Sequence, residues 1–129
     1  MRYVLDADVL IGALDSSDSH HDRARRLFVA WNEQEDDIIV SVVNLSEVLV
    51  SQASDRGRLR AAREAIAALG VTVHAPTETI GVDASVLRNR HPISLADSYL
   101  LATARHTVAT AVSFDKRIAR AAKAEGILT

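Results

Sequence analysis

The acidic residues of this chain are spaced where they could do chemistry. Asp6 and Asp8 follow a short apolar run at Tyr3–Leu5, and Glu47 follows a second at Ile38–Val43; Asp97 opens a helical pattern after Pro92, and Asp115 follows a run at Ala109–Ser113. If these runs are strands of one parallel sheet, the carboxylates converge on the rim beyond its carboxyl ends, where ligands of such sheets collect. Carboxylates gathered on one rim repel one another unless a cation neutralises them. The chain has no cysteine, and its histidines (His20, His21, His74, His91 and His106) have no ligand-like spacing, so an oxygen-only donor set points to a hard ion, Mg²⁺ or Mn²⁺. Several carboxylates around such an ion, with positions left open for water, can activate water and clamp a phosphate during phosphodiester hydrolysis without a side-chain nucleophile.

Each acid taken singly also fits a helix cap. Ser94-Leu95-Ala96-Asp97 matches a capping box with Asp97 at N3, and Asn44-Leu45-Ser46-Glu47 matches the same pattern with Asn44 as cap; Asp8 and Asp115 both suit an N-cap. Capping explains the acids one at a time, but it does not require them to fall at the same end of several strands. Ser113 is placed to hydrogen-bond a carboxylate of the rim. Lys116 and Arg117 follow Asp115 closely enough to reach a phosphate, or else belong to a solvated helix face.

The elements that must position these residues are legible in the apolar pattern. Tyr3–Leu5, Ile38–Val43, Val71–His74 and Ala109–Ser113 are β-branched-rich and too short for helices, and Ile38–Val43 does not alternate, as a strand buried on both faces requires. Between them, Ala24, Leu27, Phe28 and Trp31 draw one apolar stripe on a helix over His21–Asn32. Further helices are predicted over Asn44–Gln52, Arg58–Leu69 (stopped by Gly70), Glu78–Asn89, Leu95–His106 and Lys116–Glu125, with a fifth short strand at Ile127-Leu128. The alternation implies an open, mostly parallel α/β sheet of four to five strands with helices on both sides.

Composition bounds the rest. A chain of 129 residues with 48% hydrophobic content is expected to form a single domain over residues 1–129 with a core that needs no disulfide or structural zinc. The absence of cysteine fits a reducing compartment, and the early Asp6 breaks any signal-peptide pattern, so a cytoplasmic protein without membrane association is expected. A formal charge of −2 excludes a uniformly basic nucleic-acid footprint, so a polyanion must be held locally.

Taken together, Val4-Leu5-Asp6-Ala7-Asp8-Val9-Leu10-Ile11, Asn44-Leu45-Ser46-Glu47-Val48, Leu95-Ala96-Asp97-Ser98 with Ala102-Thr103-Ala104, and Ser113-Phe114-Asp115 resemble the PIN-domain ribonucleases, and among them the VapC-type toxins of bacterial toxin–antitoxin pairs. The resemblance spans the chain. It implies a three-layer α/β/α sandwich in which Asp6, Glu47, Asp97 and Asp115 hold Mg²⁺ or Mn²⁺ and cleave single-stranded regions of RNA. It also implies a cognate antitoxin and a homodimer. Asp8 departs from the family's commonest pattern, which has Ser, Thr or Asn there, and reads as a carboxylate behind the ligands rather than one of them. For an RNA substrate, Arg56, Arg58, Arg60 and Arg63 form the densest cationic cluster and Arg23, Arg25 and Arg26 the next. With few aromatic residues, recognition is expected to rest on phosphate contacts and RNA shape more than on stacked bases.

Two rivals remain at this level. Leu5-Asp6-Ala7-Asp8-Val9-Leu10 also resembles the nucleophile loop of haloacid-dehalogenase-type phosphatases, with Asp6 attacking a phosphoryl group and Asp8 as general acid, but the later lysine and acidic pair of that family have no counterpart here. The other rival is a non-catalytic RNA- or protein-binding module on the same fold, which would have no need of four carboxylates on one rim.

Overall fold

The parallel sheet forms, and its strand order creates the site. In the computed structural model, which describes residues 1–129, β1 (Arg2–Leu5) is followed by α1 (Ala7–Leu14), α2 (His21–Glu33), β2 (Asp37–Ser41) and α3 (Val42–Leu49). After a single 3₁₀ turn at Val50–Gln52 come α4 (Arg56–Ala68), β3 (Val71–His74), α5 (Glu78–Arg90), α6 (Leu95–Thr107), β4 (Thr110–Val112) and α7 (Lys116–Ala124). The four strands run parallel in the order β3-β2-β1-β4, with Tyr3 opposite both Ile38 and Thr110. The chain steps outward from β1 to β3 and then returns to lay β4 on the other side of β1. Connections leaving β1 and β4 therefore diverge, and a crevice opens beyond their carboxyl ends.

Alternation of side chains divides the interior into two cores. Val4 and Ile39 face α5, α6 and α7 through Ile80, Leu87, Leu100, Leu101 and Ile118. Their neighbours Leu5, Ile38 and Val40 face α1 to α4 through Leu10, Phe28, Trp31, Val48 and Ile66. Both faces of the central strands are thus covered, which is why Ile38–Val40 reads as a continuous apolar run, and the layers are α/β/α as expected. Trp31 also stacks on Tyr3, with ring centroids 5.0 Å apart, fixing α2 against the first strand.

Several boundaries differ from the sequence pattern for local reasons. The second strand stops at Ser41 rather than Val43, because Ser41 Oγ accepts from Val43 N–H at 3.3 Å and turns Val42 and Val43 into the start of α3. The cap of α3 is therefore Ser41, not Asn44. The segment after Asp6, given no element above, is the helix α1, whose buried Val9 and Leu10 pack into the second core. Ile127-Leu128 forms no strand; one bond, Ala111 N–H to Leu128 O at 2.8 Å, holds it beside β4. Gly70 ends α4 with φ +81°, the left-handed stop expected of it. No helix is long and apolar enough to cross a membrane.

Candidate active site

The crevice beyond β1 and β4 is built from helix caps. Asp6, the first residue past β1, is the N-cap of α1: Oδ1 accepts from Ala7 N–H at 2.8 Å, and its own N–H donates to Val112 O of β4 at 2.9 Å. Across the crevice, the Ser113 hydroxyl donates to Asp6 Oδ2 at 2.7 Å and accepts from Asp115 N–H at 3.0 Å. Asp8 is not an N-cap but sits in the first turn of α1, where Oδ2 accepts from Phe114 N–H at 3.0 Å. The Ser113 hydroxyl lies farther from Asp8, at 3.4 Å, and its one hydrogen goes to the nearer Asp6.

The opposite wall comes from α3 and α6. Glu47 lies in the second turn of α3, one turn deeper than the sequence suggested, and Oε1 accepts from Asn44 Nδ2 at 3.3 Å. Asn44 is fully buried and gives a second hydrogen to Ala96 O at 3.1 Å, tying α3 to the first turn of α6. Asp97 is held by the capping box read from the sequence: its carboxylate accepts from Ser94 N–H, and its N–H donates to Ser94 Oγ, each at 3.1 Å. Asp115 caps α7, and both of its oxygens engage Arg117, Oδ1 with the backbone N–H at 2.8 Å and Oδ2 with Nη2 at 3.1 Å. Those bonds hold the Asp115 carboxyl below its ordinary range.

Electrostatics show which acids share the crevice. Burial, then Asp8, then Asp97 push Asp6 up from the usual carboxylate range to about 7, against the lowering effect of its bonds to Ser113 and Ala7. Burial raises Glu47, with Asp97 and Asp8 adding to it. Burial likewise raises Asp8, opposed by Phe114 N–H and by His20. Asp6, Asp8, Glu47 and Asp97 therefore act on one another, whereas Asp115 joins the rim through Ser113 and through Arg117, which also lies near Asp97. Lys116 is exposed. His20, one of the histidines without ligand-like spacing, stands beside Asp8, a proximity that no spacing in the chain announces.

As they stand, no three acidic or histidine side chains close on a single point. The donors nonetheless fit a hard cation in their chemistry. All are oxygens, burial and then their mutual repulsion raise Asp6 and Glu47, and Asp8 Oδ1 and Asn44 Oδ1 are buried with no hydrogen-bond partner. A positive charge among them would relieve the repulsion that burial amplifies.

Comparison with known proteins bears on the fold that carries this crevice. No curated protein matches the sequence. Among solved structures, the chain is similar to Mycobacterium tuberculosis VapC20, described as a sarcin–ricin loop cleaving toxin, at 20% identity over 98% of this chain and 96% of that one, with a TM-score of 0.75. It is also similar to VapBC-1 of nontypeable Haemophilus influenzae, at 16% identity over 96% and 94% with a TM-score of 0.73. A toxin–antitoxin complex from Klebsiella pneumoniae matches at 22% identity over 88% and 87%, with a TM-score of 0.70. These likenesses establish the fold. The profile of the PIN domain matches residues 3–124, nearly the whole chain, and on that ground the chain belongs to the PIN-domain family.

Proposed function

We propose that the chain is a Mg²⁺- or Mn²⁺-dependent endoribonuclease that serves as the toxin of a bacterial type II toxin–antitoxin pair. The observation that carries the reading is the mutual influence of Asp6, Asp8, Glu47 and Asp97 in the crevice between β1 and β4. In this reading Asp6, Glu47, Asp97 and Asp115 hold the ion, and Asp8 and Ser113 stand behind them. The bound ion would supply Lewis-acid activation of water and charge compensation at the scissile phosphate. The chain's own residues do the positioning. Ser113 fixes the outer oxygen of Asp6, Asn44 holds Glu47 toward α6, and Ser94 pins Asp97 at the helix start. Asp115 can join the ligands once its pair with Arg117 opens, and that frees the guanidinium, with Lys116 beside it, for a phosphate oxygen.

The solved structures similar to this chain include toxin–antitoxin complexes, which supports a cognate antitoxin as partner. A homodimer in the cytoplasm completes the proposal. The test is cleavage of total cellular RNA by the purified chain with Mg²⁺, with Mn²⁺ and with EDTA, beside Asp97→Asn. Discrete metal-dependent products that end in 5′-phosphate and 3′-hydroxyl and vanish in the variant are expected. Hydrolysis of a small phosphomonoester without RNA cleavage would transfer the assignment to a phosphatase, and silence in both assays would favour a binding module.

A further inference from the structure

The connection between α1 and α2 borders the acidic crevice and has no role in the reading above. It is rigidly held from within. Ser17 donates to Asp15 Oδ1 through N–H at 2.9 Å and through its hydroxyl at 2.6 Å, and His20 N–H donates to Asp18 Oδ2 at 2.9 Å. The His21 ring hydrogen-bonds through Nδ1 to Gly12 O at 2.7 Å. At Gly12 the two helices nearly touch: a Cβ there would lie 3.2 Å from Ala24 Cβ and 3.4 Å from His20 O. The loop is thus fixed at both ends, and its last residue is delivered to a set place.

That place is the lip of the crevice. The half-buried His20 ring lies with its centroid 4.6 Å from that of Phe114, in the connection after β4. Arg23, in the first turn of α2, lays its guanidinium over the same ring, 4.6 Å from the centroid. Phe114 is itself pinned, since its N–H donates to Asp8 Oδ2 at 3.0 Å. One aromatic ring therefore ties two nitrogen-bearing side chains to the edge of an acidic site. Across the crevice, Arg117 is paired with Asp115 and reaches a phosphate only once that pair opens. Arg23 is exposed and rests on a ring rather than on a carboxylate, so its donors are free.

A rim of carboxylates repels a polyanion, and a strand of RNA can lie across it only if cationic donors take up the neighbouring phosphates. Resting on the ribonuclease reading, the geometry points to Arg23 and His20 as the phosphate-holding side of the site, with Phe114 positioning both against the RNA backbone beside the bond that is cut. Arg23 supplies a charged fork and His20 a ring N–H, while the stack spares both the entropy cost of being fixed on binding.

The probe is a fluorescently labelled single-stranded RNA of mixed sequence, titrated by anisotropy in Mg²⁺ at several salt concentrations with each chain carrying Asp97→Asn so that the probe stays intact, while cleavage of the same RNA by the chains with Asp97 in place is measured in parallel. Arg23→Gln is expected to raise Kd and KM about five- to tenfold with kcat unchanged, and to flatten the salt slope by about 0.7, the loss of one phosphate contact. Arg23→Lys should recover the slope and part of the affinity, and His20→Ala should raise Kd about threefold. Melting temperatures of the Arg23 variants should stay within about 2 °C of the wild type, as for other exposed substitutions. Arg23→Gln and His20→Ala chains that bind with wild-type affinity and slope would overturn the inference while leaving the ribonuclease reading standing. A fall in affinity that merely tracks a fall in melting temperature would overturn it as well. A wild-type chain that neither binds nor cuts RNA would remove the ribonuclease reading and this inference with it.

Discussion

Replacing Asp6 by Asn should stabilise the metal-free protein, even though it removes a carboxylate of the proposed metal site. Asp6 is only 6% exposed, and its carboxyl is raised from an ordinary 3.8 to about 7, with burial as the first cause and Asp8 and Asp97 following. The folded chain therefore holds a proton there that the unfolded chain has already lost. Stability falls as pH rises from about 4 to about 7, and a shift of about 3 units sets a ceiling of about 4 kcal/mol on that loss. An Asn at position 6 carries no charge and can keep the bond from Ala7 N–H. Its amide can donate to Ser113 Oγ, which then turns its hydrogen to Asp8, 3.4 Å away. Allowing about 1–2 kcal/mol for the charge-assisted bonds that are lost, a net gain of about 2 kcal/mol remains at pH 8. For a domain of this size that corresponds to about 6–10 °C in Tm. The assay is thermal unfolding of both chains in EDTA at pH 5 and pH 8. The gain should be present at pH 8 and absent at pH 5, where the wild-type Asp6 is already neutral. Adding Mg²⁺ should raise the wild type more than the variant. A variant no more stable than the wild type at pH 8, or an equal gain at both pH values, would refute the account of a crowded, desolvated carboxylate.

Two further predictions concern stability away from the crevice. Glu125, at the end of α7, gathers His91 at 2.7 Å, Arg105 at 2.7 Å and Arg90 at 3.2 Å, and these bonds, the one from His91 first, hold its carboxyl down at about 2. Because the folded value lies below the unfolded one, the contribution is complete above about pH 4.5 and is lost toward pH 2; Glu125→Gln should cost about 1–2 kcal/mol at pH 7 after allowance for solvent screening, with the difference from wild type closing in acid, as read by urea unfolding across pH. A constant difference down to pH 2 would assign the effect to packing instead. Val108 ends α6 in the left-handed region, φ 53° and ψ 53°, while 86% exposed, so Val108→Asn should raise the denaturant midpoint by the equivalent of about 1 kcal/mol without changing the slope; no gain would show that the strain is absorbed elsewhere.

Periodicity made the sheet and most helices legible because burial on two faces leaves a continuous apolar run in a strand and a stripe in a helix. Where it failed, a short polar residue took over the backbone. Ser41 ends β2 inside an unbroken run of Ile and Val, and hydrophobicity carries no mark of that turn. At Asp6, the cap and the following eight-residue helix are too short for a periodic signal, so the pattern assigns the segment no element. The crevice was legible for a different reason: a parallel sheet forces whatever follows each strand onto one rim, so Asp6 and Ser113, which follow β1 and β4, had to face each other. Asp115 was placed at the rim by the same rule, but the rule cannot say which way a carboxylate turns, and a cation two residues later in the first turn of α7 captured it. Asn44 escaped notice as a positioning residue because its type and place matched a cap. Only the fold reveals that its buried amide joins Glu47 to the start of α6.

Capping and site chemistry thus fall on the same atoms, and this has a consequence for how the site is dissected. Asp97 Oδ2 accepts from Ser94 N–H while the same carboxylate acts on Asp6 and Glu47, so truncation to Ala removes a helix cap and a charge together. Asp97→Ala should therefore lose about 1 kcal/mol of stability, the usual worth of such a cap, and lower Tm by a few degrees. Asp97→Asn keeps an oxygen for Ser94 N–H and removes only the charge; in EDTA it should melt at or slightly above the wild type, because it relieves its two neighbours. Both variants should be equally inactive on RNA in Mg²⁺. If Asn proves as destabilising as Ala, the capping bond is not what Asp97 contributes to the fold. If Asn is active while Ala is not, the residue serves the site by holding the start of α6 in place, and its negative charge is not required.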